Sequence, residues 1–121
     1  MTRINLVPPQ ELSRQHLLAE YRELPRVFAL ARKAGASSRP LSAPQRYTLG
    51  PGHVKFFYNR PGWLVRRHSA LVTEMLARGY SPAFTDVSGL AEGLSDEPWE
   101  PDEEEIAISR ARIAERIGNV H

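Results

Sequence analysis

Two places in this chain bring together residue types that could do chemistry. The first is Met1-Thr2-Arg3: a small residue after the initiator is what methionine removal generally requires, so the mature chain is expected to begin with the free α-amine of Thr2. The second is Arg22-Glu23-Leu24-Pro25-Arg26, a carboxylate flanked by guanidiniums. An α-amine titrates near 7.7 to 8.0 and a lysine near 10.4, so at neutral pH the terminus offers roughly a hundredfold more uncharged nitrogen. Such an amine, close to a carboxylate and surrounded by guanidiniums that grip phosphate, suits attack on a sugar carbon of nucleic acid through an imine. Glu23 is the candidate carboxylate.

These groups must be held by helices. Leu17, Tyr21, Leu24, Phe28 and Ala31 recur at spacings of three and four, which predicts a helix over residues 11–34 with Gly35 as its stop signal. On it Arg22 and Arg26 share a face, while Glu23 is rotated by roughly 100°. Pro25 lies inside this helix and predicts a kink beside the charged cluster. A second helix is expected over residues 62–78, with Leu64, Leu71, Val72, Met75 and Leu76 as its apolar stripe, Arg66 and Arg67 off that stripe, and Gly79 as cap. A third is expected over residues 102–117, with acidic residues in its first turn and Ile106, Ile113 and Ile117 facing the core. Arg112 and Arg116 lie one turn apart on it. They suit one phosphate backbone, and surface solubility explains them almost as well.

The connections are less regular. Residues 36–52, rich in Gly, Ser, Pro and Ala, read as a surface loop in which Arg39 and Arg46 form either a backbone-gripping arm or part of an ordinary connector. The apolar run 54–58 is too short to decide between helix and strand. Residues 81–101 read as a long connection packed by Phe84, Leu90, Leu94 and Trp99. The sum is an all-α, single compact domain spanning 1–121, with three main helices around one core.

Composition narrows the function classes. The 121 residues suit one modest core. The absence of cysteine excludes disulfides and thiolate chemistry. With no apolar run of signal-peptide kind, a soluble, cytoplasmic protein is the expectation. The net charge of +2 hides an asymmetry: residues 1–80 hold 13 Lys/Arg against 4 Asp/Glu, and residues 81–121 hold 3 against 10. A basic body of this kind fits a polyanion binder, and fits a merely solvated face equally well. His53, His68 and His121 show no metal-ligand spacing, so no metal is expected.

The start TRINL, the stretch HLLAEYRELPRVF (His16 to Phe28), the segment GHVKFFY (Gly52 to Tyr58) and IAISRAR (Ile106 to Arg112) resemble, in the same order, the phage-type endonuclease V family of pyrimidine dimer DNA glycosylases with abasic-site lyase activity. The resemblance implies a helical fold with the N-terminal segment threading between helices, catalysis by the Thr2 amine and Glu23, and no cofactor. It also implies DNA phosphate contacts from Arg3, Arg22 and Arg26, with Gln15 and His16 lining the same site. Damaged double-stranded DNA is the implied partner, a monomer the implied state, and the nucleoid the implied place of work when bound to DNA. The family pattern continues into an aromatic and basic tail where this sequence has Gly118-Asn119-Val120-His121. Strand cleavage at abasic sites is thus the firmer expectation and dimer specificity the weaker.

Each residue also has a plainer reading. A helical glutamate is more often a surface or ion-paired group than a catalytic one. His16 serves equally as a structural histidine, and Tyr21, Phe56, Phe57, Tyr58 and Trp63 read as core in preference to base-stacking platforms. The competing functions are an abasic-site lyase, a glycosylase for another damaged base, and a non-catalytic DNA-binding module.

Overall fold

The computed structural model describes residues 3–35, 46–50, 52–94 and 96–118, the side chains of 116–118 excepted. Three α-helices carry the fold: α1 (Arg14–Gly35), α2 (Pro61–Ala77) and α3 (Glu103–Gly118), with 3-10 turns at Pro9–Glu11, Lys55–Phe57 and Ser88–Ala91. No strand occurs among the described residues. The architecture is the all-α one expected from periodicity. Among those residues no helix is long and apolar enough to cross a membrane.

Local signals explain where the helices start and stop. α1 begins after Ser13, whose hydroxyl accepts the His16 N–H at 3.2 Å and whose carbonyl accepts the Leu17 N–H at 2.9 Å. The expected start at residue 11 is displaced because Pro9–Glu11 closes as a separate 3-10 turn behind Pro8. α1 continues through Pro25, which leaves the Tyr21 carbonyl without its i+4 donor. α2 ends in a Schellman motif: the Tyr80 N–H donates to the Met75 carbonyl at 2.9 Å and the Gly79 N–H to Leu76 at 3.0 Å, with Gly79 at φ 85°. α3 opens on a capping box in which the Glu105 N–H donates to the Asp102 carboxylate at 2.8 Å and the Asp102 N–H to Glu105 at 3.2 Å. Glu103, Glu104 and Glu105 fill its first turn, as the acidic run implied.

The core is built from Leu17, Leu24, Val27 and Phe28 of α1 and Leu64, Leu71, Val72 and Met75 of α2, closed by Phe56, Phe57 and Ile113. Each fully buried side chain of this size contributes roughly 1.5–3 kcal/mol. The run 54–58 resolves as the 3-10 turn Lys55–Phe57, which drives two consecutive phenylalanines inward. Phe57 stacks on Trp63 at 5.3 Å, and Trp99 packs edge-on against Phe56 at 4.9 Å. Tyr21, Phe56, Phe57 and Trp63 are core, as read from the sequence. Phe84 and Leu90 differ from expectation. They stay 40% and 46% exposed, although Phe84 stacks on Tyr21 at 4.6 Å.

Residues 4–7 are the unusual part of the core. They are buried and lie outside any helix or sheet, so their backbone groups need other partners. Side chains supply them. The Ile4 N–H donates to His53 Nε2 at 2.8 Å, and the Tyr47 hydroxyl donates to the Ile4 carbonyl at 2.8 Å. The Leu6 N–H donates to the Ser109 hydroxyl at 2.9 Å, and Arg67 donates to the Val7 carbonyl at 2.6 Å. α3 steadies the neighbouring loop as well, because Glu105 accepts the Tyr47 N–H at 2.9 Å.

Candidate active site

α1 divides along its length into two sides. Residues 17, 20, 21, 24, 27 and 28 face inward; on a 3.6-residue period residues 15, 18, 19 and 22 lie opposite them, with Arg14 and Glu23 at the margins. The outer set lines an open cleft of about 600 Å³: Arg14, Gln15, Leu18, Ala19, Arg22 and Glu23. Three residues singled out from the sequence, Gln15, Arg22 and Glu23, are therefore brought to one surface.

Glu23 is about one-third exposed and accepts a hydrogen bond from Arg26 at 2.8 Å, one helical turn on. Arg26 is itself about 69% exposed, so this ion pair sits in high dielectric and contributes little to stability. It keeps a cation beside the carboxylate all the same. Arg22 turns its Nε–H back to the Leu18 carbonyl at 3.3 Å, which leaves its guanidinium exposed along the cleft. His16 lies within 2.8 Å of the Ser13 hydroxyl through Nδ1, at the N-terminal turn of α1. Thr2 lies outside the described residues.

A second groove, of about 780 Å³, contains Arg3 and Arg112 with Leu49, Gly50, Ile108, Ala111 and Glu115. Arg112 reaches Glu115 only at 3.4 Å, and its buried Nε has no hydrogen-bond partner. Arg116 belongs to α3, but its side chain is outside the described residues. Of the arginines selected from sequence, Arg22 lines the first surface and Arg3 and Arg112 the second, and Arg26 lines neither. Of the two loop arginines, Arg46 is ion-paired with Asp102 at 2.8 Å and stands 4.0 Å from Glu104, and Arg39 is outside the described residues.

What the sequence reading missed lies on the buried side of α1. Glu20 and Arg67, whose side chains are 0% and 5% exposed, form a buried ion pair at 2.7 Å. Arg67 also donates to the second oxygen of Glu20 at 3.1 Å and to Val7, and the Asn5 amide donates to Glu20 at 2.9 Å. Arg67 was expected off the apolar stripe of α2 and is instead part of the buried face. A signal was available. Glu20 falls among the inward positions of α1 and Arg67 lies between Leu64 and Leu71, and charges at such positions are tolerated only when paired.

Two histidines are buried as well. Burial pushes the His53 pKa below its usual value, with the Thr48 carbonyl opposing and Arg3 assisting. Burial likewise lowers His68, against a weaker opposing pull from Asp86. Tyr47 is pushed up to about 12, chiefly by burial, so its hydroxyl keeps its proton. Among the described residues no group of three His, Cys, Asp or Glu side chains is arranged to hold a metal ion.

A helical domain whose first helix presents a carboxylate between arginines, over an internally clamped N-terminal segment, has the makings of a protein that handles a phosphate-bearing substrate. The family model described as pyrimidine dimer DNA glycosylase matches residues 1–86 of this chain. The chain belongs to that family, in agreement with the resemblance carried by TRINL, HLLAEYRELPRVF and GHVKFFY. The match takes in the cleft of α1, all of α2 and the Phe84 stack, and α3 lies beyond it.

Proposed function

We propose that this protein is a DNA repair glycosylase with abasic-site lyase activity, acting at ultraviolet-induced pyrimidine dimers through an imine formed by the α-amine of Thr2. The observation that carries the reading is the cleft on α1 with Glu23, Arg22 and Gln15 on its walls, one turn from Glu20, which accepts a hydrogen bond from Asn5. Three residues of extended chain reach at most about 10–11 Å. From residue 20 to residue 23 the helix rises only about 4.5 Å. In this reading the amine of Thr2, three residues before Asn5, meets Glu23.

In this reading the uncharged amine attacks C1′ of the damaged nucleotide, the bond from C1′ to the base breaks, and the sugar ring opens to an imine on the protein nitrogen. Glu23 stabilises the cationic sugar and then takes a C2′ proton, whose acidity the imine has raised. The electron pair left at C2′ expels the 3′ phosphate from C3′ by β-elimination, and water hydrolyses the imine to return the free amine. Arg3, Arg22 and Arg26 hold phosphates around the lesion, with Arg112 and Arg116 reaching the flanking backbone and Gln15 and His16 lining the site. No metal or cofactor takes part. Exposing C1′ needs a deformed or base-extruded duplex, which costs a few kcal/mol and is easier at a damaged step.

Borohydride reduction tests the chemistry. Incubated with ultraviolet-irradiated or abasic duplex and reductant, the protein is expected to form a covalent complex joined through Thr2, located by mass spectrometry. Glu23→Gln is expected to bind duplex normally and to lose strand cleavage. A protein that cleaves without any trappable adduct, or a Glu23→Gln variant that nicks abasic DNA at the original rate, removes the mechanism. Adducts with abasic DNA alone assign it to abasic-site lyases.

A further inference from the structure

Among the side chains that clamp residues 4–7, His53 has both ring nitrogens committed. Nε2 stands 2.8 Å from the Ile4 nitrogen and Nδ1 stands 2.8 Å from the Thr48 carbonyl. A backbone N–H can only donate and a carbonyl can only accept, so Nε2 must carry the lone pair and Nδ1 the proton. The ring is buried and held edge-on by Tyr47 at 5.3 Å and Phe57 at 5.9 Å. Tyr47 in turn binds the carbonyl of the same Ile4 through its hydroxyl. Residue 4 is thereby gripped at both its N–H and its C=O by neighbours in one loop, two positions from the proposed nucleophile.

We infer that His53 is a positioning residue for the amino terminus: its Nε2 lone pair, kept available by the Nδ1–H bond to Thr48, seats Ile4 and so fixes the backbone that leads to the terminal amine. The inference rests on the imine reading for its functional part and on hydrogen bonding alone for its structural part. His53 touches no substrate. Its effect passes through two residues of backbone, where a displacement of about 1 Å can cost on the order of a hundredfold in rate.

Two variants separate this role from general core packing. His53→Leu fills much of the space without an acceptor, and His53→Gln restores an amide oxygen able to accept the Ile4 N–H. Three readouts apply to each: the single-turnover rate of borohydride trapping on abasic duplex, the Kd for that duplex, and amide hydrogen exchange at Ile4 compared with Leu71 and Val72 of α2. For His53→Leu the trapping rate is expected to fall at least about tenfold with Kd within about twofold. Exchange protection should vanish at Ile4 and persist at Leu71 and Val72. His53→Gln should regain part of both the rate and the protection.

A His53→Leu variant that traps at the original rate with Ile4 still protected overturns the inference. Should that variant fail to fold, His53→Gln and the nitrogen spectrum of the original ring decide: a neutral ring protonated on Nε2, or a charged one at pH 7.5, is incompatible with the role. If the unsubstituted protein forms no adduct at all, the imine reading fails, and loss of Ile4 protection in His53→Leu still tests the seating of the terminus.

Discussion

Replacing Glu20 by glutamine removes the carboxylate charge facing the buried Arg67 guanidinium while keeping the shape of the side chain. In the native protein both Glu20 oxygens accept from Arg67, at 2.7 and 3.1 Å, and one also accepts from Asn5. Glutamine keeps one oxygen and turns the other into a donor aimed at a guanidinium, so one hydrogen bond is lost and the cation is left uncompensated in a site 5% exposed. Removing one partner of a buried pair costs about 3–5 kcal/mol. For a domain of this size that corresponds to a fall in Tm of roughly 10–20 °C. Urea and thermal unfolding followed by circular dichroism measure it directly. The companion variant Glu20→Leu/Arg67→Met, which removes both charges and fills the space with apolar volume, should recover most of the loss. A Glu20→Gln protein within 1 kcal/mol of the original would refute the placement of this pair in low dielectric. Because the same carboxylate ties Asn5 to α1, the variant should also loosen the segment that leads to the terminus.

Other outcomes follow from the same geometry. Arg26→Gln takes an exposed cation from beside Glu23 and should lower the slope of log affinity against log salt by about 1, with little effect on folding; an unchanged slope removes Arg26 from the phosphate contacts. Stability should fall on acidification between about pH 6.5 and 5, a range set by the ordinary histidine pKa near 6.5. The sign follows from the folded-state values of His53 and His68, which burial holds below that of the unfolded chain, so the unfolded state takes up protons first and their contribution is lost as pH drops. Urea midpoints at pH 7.5 and 5 check this, and a higher midpoint at pH 5 would show that neither ring is buried in its neutral form.

The helices were legible because their signals are local. α2 spans Pro61–Ala77 against an expected 62–78, and α3 spans Glu103–Gly118 against 102–117, since an apolar stripe, an acidic first turn and a terminal glycine all act within a few residues. α1 started later than expected because Ser13 competes with the preceding prolines for the cap, a contest that periodicity does not register. The candidate residues Gln15 and Arg22 could be placed on one surface from helical period alone; Glu23, rotated by roughly 100° from Arg22, sits at its margin and lines the same cleft. Their arrangement needed no distant partner.

What the amino-acid order determined by itself, then, was the helical class, the outer face of α1 and, through the segments TRINL, HLLAEYRELPRVF and GHVKFFY, membership of the pyrimidine dimer DNA glycosylase family. Tertiary structure alone decided what holds the N-terminal segment. His53 meets Ile4 across 49 residues of chain, Arg67 meets Glu20 across 47, and Ser109 meets Leu6 across 103. Those distances are closed only when three helices pack. The physical reason is that a buried segment outside helix and sheet must find a partner for each backbone polar group, and which side chain answers depends on the packed geometry.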